Sequence, residues 1–131
     1  MTTVRIRPTA VAGAFYPADA QQLRMLVDWC VSEATGGDDL SERLRALIVP
    51  HAGYVYSGPV AGFGYAQLAP LRGVVRRVLL LGPAHYVPVR GLALPSTDAF
   101  ATPLGPVRVD WRARDTMLLH PEAAVDDVAH E

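Results

Sequence analysis

Two short apolar runs, Arg45-Ala-Leu-Ile-Val-Pro50 and Arg76-Arg-Val-Leu-Leu-Leu-Gly82, decide how this chain is read. Neither alternates polar and apolar residues, and each stops at proline or glycine. That is the signature of a strand buried on both faces. Gly53, Gly58 and Pro59 punctuate the segment between them. A helix is predicted from about Pro59, because proline suits a first helical position. Val60, Phe63 and Gln67 or Leu68 lie along it, and it ends before Pro70. The order strand, helix, strand predicts an α/β fold with a central, mostly parallel sheet flanked by helices. The two runs are expected to be adjacent and parallel, joined by a right-handed crossover.

Outward from this unit, residues 19–34 read as an amphipathic helix. Leu23, Leu26, Val27, Cys30, Val31 and Ala34 make one apolar stripe at helical spacing. Asp19 is placed to cap it, with Gln22 three residues on, and Gly36-Gly37 to stop it. Gly91-Leu-Ala-Leu-Pro95 is predicted as a third strand. Ala99-Phe-Ala and Val107-Arg-Val flank Thr102-Pro-Leu-Gly-Pro106 as a hairpin with a long turn. Asp110 caps a predicted helix over 111–119, and 121–131 is read as helical. The pattern over Val125–Glu131 is a helix begun and cut, as in the amino-terminal part of a longer protein or an incomplete gene prediction.

Composition narrows the classes of function. With 131 residues, half of them apolar and 19% charged, the chain suits one soluble domain, 1–131. A net charge of −1 gives no reason to expect nucleic acid or an anionic membrane as partner, since both reward a basic face. No apolar run is long enough to span a bilayer. The one cysteine, Cys30, has no internal partner, so a reducing cytoplasm is the expected setting. All twelve basic residues are arginine, and lysine and asparagine are absent. That bias covers the whole chain, so it is read as codon usage in a GC-rich bacterial genome rather than as a site.

The residues with chemistry sit at the ends of the two runs. His51 directly follows the first and His85 closely follows the second, in Leu81-Gly-Pro-Ala-His85. Ligands of open parallel sheets bind outside the carboxyl ends of the strands. Neighbouring strands would therefore bring both imidazoles to one edge, as candidate ligands for a transition metal. Either histidine could equally cap its strand by bonding a backbone carbonyl. Tyr54, Tyr56, Ser57 and Tyr86 bracket the pair as candidate pocket walls or donors, with simple packing as the plainer role for the tyrosines. The glycines at 53, 58, 62 and 64 fit neither a dinucleotide fingerprint nor a P-loop, and there is no lysine. His120 reads as a surface helix end, and His130 lies too near the terminus to assign.

Four segments together resemble the Memo family, also called the AmmeMemoRadiSam system protein B family. They are Arg7-Pro-Thr-Ala-Val-Ala-Gly-Ala-Phe-Tyr-Pro17, Pro50-His-Ala-Gly-Tyr-Val-Tyr-Ser-Gly58, Leu81-Gly-Pro-Ala-His85 and Thr102-Pro-Leu-Gly105. The resemblance implies an α/β fold similar to class III extradiol dioxygenases, with His51 and His85 as metal ligands and iron or copper as the metal. It implies a third ligand, a cysteine, further along than residue 131. It also implies either a metal-dependent redox or dioxygenase-like enzyme, or a non-catalytic binding or scaffold protein reusing the pocket. A small molecule or peptide would occupy that pocket. Radical-SAM and AMMECR-type proteins are the implied partners.

Overall fold

A computed structural model of the chain describes residues 3–34 and 44–130. It is a small α/β structure with three α-helices and two small sheets among those residues. The backbone divides into two compact units. One is Val11–Arg76; the other joins the residues up to Ala10 with Arg77 onward.

The Val11–Arg76 unit is helical. Helix α1 spans Ala20–Ser32, and the Asp19 carboxylate accepts the Gln22 backbone N–H at 2.8 Å, as the cap reading expects. Its apolar stripe is the covered face: Leu23 and Cys30 are buried, while Leu26, Val27, Val31 and Ala34 are half-buried. The expected stop at Gly36-Gly37 lies outside the described residues. Helix α2 spans Tyr54–Ala66 and starts five residues before the predicted Pro59, which lies inside it. A proline there removes one helical hydrogen bond and normally disfavours the helix. Two features in the structure hold the first turn despite it. The Ser57 hydroxyl donates to the Ala52 carbonyl at 2.7 Å, and the Tyr54 N–H donates to the Phe15 carbonyl at 2.8 Å.

The helices meet where α2 has almost no side chains. Its buried residues are Ser57, Gly58 and Gly62, whereas Val60 and Phe63 are exposed. A Cβ at Gly58 would come within 2.9 Å of Cys30 Sγ, and one at Gly62 would overlap the Cys30 backbone carbonyl. Backbone-to-backbone approach of this kind requires glycine.

The second unit holds both sheets. Strand β1 (Ile6–Arg7) pairs parallel with β3 (Ala99–Phe100), which pairs antiparallel with β4 (Val107–Arg108). The turn between β3 and β4 is braced by Thr102, whose hydroxyl donates to the Gly105 carbonyl at 2.7 Å. Strand β2 (Leu92–Leu94), the predicted third strand, pairs parallel with β5 (Ala123–Val125). Gly91 opens β2 with φ +79, and a side chain there would overlap the Glu122 carbonyl, the acceptor of the Leu92 N–H. Helix α3 spans Trp111–Met117 under its predicted Asp110 cap, which accepts the Ala113 N–H at 3.0 Å. Of the stretch 121–131 read as helical, the described residues instead supply β5 and a short 3-10 turn at Val128–His130.

The two deciding runs do not form the expected parallel pair. Neither 45–50 nor 76–82 is a strand, and the sheets are built from other segments. Burial explains this. In the first run only Leu47 and Val49 are partly covered, and Ile48 is fully exposed, at 101%. Val49 reaches α2 at Gly64, so one side of the run is packed and the other is not. Val78, Leu79, Leu80 and Leu81 are all exposed. A strand of continuous apolar character needs cover on both faces. The described residues supply at most one.

Gly62→Ala should destabilise the protein by about 1–3 kcal/mol, because the obstacle is backbone and cannot swing aside. The gain in helix propensity, up to about 1 kcal/mol, is smaller. Gly82→Ala, which meets nothing within 4 Å, should stay within about 0.5 kcal/mol. Denaturant unfolding of the two variants checks this, and equal midpoints would contradict the close crossing.

A second expectation concerns pH. The Asp110 carboxyl is held below its ordinary value of 3.8, first by the Ala113 N–H and then by the Arg77 guanidinium at 2.6 Å. A depressed folded value makes the carboxylate stabilising above 3.8, and that contribution is lost as pH falls through the lower folded value. Asp110→Ala should therefore lower the melting temperature at neutral pH, with the gap to wild type closing in acid. A gap independent of pH would contradict this.

Candidate functional site: two histidine-bearing segments

His51 lies in the Val11–Arg76 unit, two residues before the Gly53 cap of α2. The residues that follow it are tied down by two hydrogen bonds. The Ser57 hydroxyl reaches back to Ala52, and Phe15 receives the Tyr54 N–H. The Tyr54 ring packs against Tyr16 with centroids 5.6 Å apart. The segments around Tyr16 and around His51, distant in sequence, are thus joined within one unit. Burial raises the Tyr54 phenol above its ordinary value, with smaller contributions from Tyr65, Tyr16 and Cys30. Burial likewise pushes the Cys30 thiol up, which keeps it protonated and suits a packing residue. Ser57 is buried with its hydroxyl engaged by backbone, whereas Tyr56 is 84% exposed.

His85 lies in the other unit, on the exposed segment that follows the apolar run of Val78, Leu79, Leu80 and Leu81. With Pro83, Tyr86, Val87, Val128, Ala129 and His130, it lines a cleft of about 110 Å³ inside this unit. Tyr86, one of these lining residues, is 82% exposed. The far wall is the 3-10 turn Val128–His130, and its position follows from the β2–β5 pair. The Asp126 N–H donates to the Leu94 carbonyl at 3.1 Å, which prolongs the pairing beyond β5. The Asp126 carboxylate then accepts the N–H groups of Val128 and Ala129. Asp127 clamps Ser96, accepting its N–H at 2.7 Å and its hydroxyl at 2.6 Å. Those two hydrogen bonds hold the Asp127 carboxyl below its ordinary range.

His130 is the residue that sequence reasoning left unassigned. Its ring lies edge-on to Phe100 with centroids 6.0 Å apart, and Arg7 stacks over Phe100 at 5.1 Å. Its Nε2 atom is buried without a hydrogen-bond partner, a property shared among the described residues only with the Thr97 hydroxyl. The readable signal was the Asp126-Asp127 pair, a capping pattern for a tight turn that fixes the residue at its end. His120 is exposed, and its Nδ1 accepts the Glu122 N–H at 3.3 Å.

The structure therefore gathers the candidates into two groups: His51, Tyr54, Tyr56 and Ser57 at the start of α2, and His85 and Tyr86 in the cleft with His130. Among the described residues, no three His, Cys, Asp or Glu side chains assemble as a metal-ligand group. Nor is any described helix long and apolar enough to cross a membrane.

Comparison with known proteins places these segments in a family. The family profile described as Memo-like protein matches residues 7–131. A MEMO1 family protein of Pyrobaculum arsenaticum is 36% identical over 129 residues, covering 95% of this chain and 46% of its own length. One from Methanopyrus kandleri is 42% identical over 110 residues, covering 79% of this chain and 38% of its own. Protein MEMO1 of Mus musculus is 38% identical over 106 residues, covering 81% and 34%. The chain spans less than half the length of these curated relatives. With the profile matched over almost every residue and relatives 36–42% identical, the chain belongs to the Memo family.

Proposed function

We propose that the chain contributes His51 and His85 to a metal-binding pocket, and that the pocket serves redox or dioxygenase-like chemistry on a small molecule. What supports this reading is that both histidines fall within the segments matched by the Memo-like profile, and that His85 lines a small cleft. Imidazole donors suit iron or copper, and the fold relation to class III extradiol dioxygenases that the family resemblance implies points to the same metals. When bound, such a metal supplies a redox-active Lewis acid.

The chain's own residues orient and enclose. The α2 cap and the Ser57 hydroxyl hold the His51 loop in one arrangement. Tyr54, with its phenol kept neutral by burial, is suited to donate a hydrogen bond rather than to accept a proton. Tyr86, which also lines the His85 cleft, would contact a small molecule or peptide bound there. A third ligand, a cysteine by family resemblance, and radical-SAM and AMMECR-type partners in a cytoplasmic setting complete the reading.

A binding or scaffold role is the second reading. The exposed apolar and aromatic side chains favour it, among them Val55 and Tyr56 on α2 and Tyr86 beside the cleft. Exposed apolar area of this kind marks contact surfaces.

Titration with Fe2+ or Cu2+ separates the two. Replacing either His51 or His85 by alanine should weaken binding by about tenfold or more. Affinity of the unaltered chain should fall as pH drops through the imidazole range, since protonated histidine does not coordinate. If both variants bind as tightly as the unaltered chain, the metal reading fails and the scaffold reading takes its place.

A further inference from the structure

We draw no further inference here: the strongest candidate, the exposed apolar patch of Val78, Leu79, Leu80 and Leu81 ahead of His85, carries none, because nothing in the structure shows what covers it.

Discussion

Helix α2 can lie against α1 only because positions 58 and 62 carry no side chain, and much of the Val11–Arg76 unit depends on that close crossing. The buried centre there is Leu23 and Cys30 on one helix and Ser57, Gly58 and Gly62 on the other. Where α2 lies determines where its first turn lies. The first turn, through Ser57 and Tyr54, holds the Ala52 and Phe15 backbones. His51 directly precedes Ala52, the first of the residues held in this way. A packing constraint in the helix interior is in this way transmitted to the residue with the most chemistry in the unit.

The other unit is organised by a different constraint, the pairing of β2 with β5. Three residues on each strand are in register, and the hydrogen bonding continues into Asp126. Short strands of this length are weak alone. The clamp of Asp127 on Ser96, and of Arg5 and Arg114 on the carbonyl of the same residue, supplies the missing definition. The turn that ends in His130 is the product of this network rather than of any local helical preference.

Local signals were legible in the sequence. Asp19 and Asp110 announced their helices, the α1 stripe matched the covered face, and Gly91–Pro95 and the hairpin around Thr102–Gly105 were read from turn chemistry. What could not be read was set by cover from elsewhere. Arg45–Pro50 and Arg76–Gly82 have the composition of fully buried strands, yet Ile48 and Leu80 stand exposed. Composition records what a segment is suited to, and pairing depends on neighbours that a single run does not contain. The early start of α2 was hidden by Pro59, since the Ser57 and Phe15 contacts that hold its first turn link residues outside any helical repeat. For the site, the two histidines were singled out from their positions after the apolar runs, and the structure sets them in different units. The His85–His130 cleft was not legible, because it joins segments brought together only by β2 and β5.

The central claim is that His51 and His85 serve one metal ion. X-ray absorption at the copper edge of the copper-loaded chain tests this most directly, because imidazole rings give a multiple-scattering pattern that counts them. The account predicts at least two imidazoles on a single copper, with the count falling when His51 is replaced. A first shell of oxygen atoms alone, or a count unchanged by loss of His51, would contradict it.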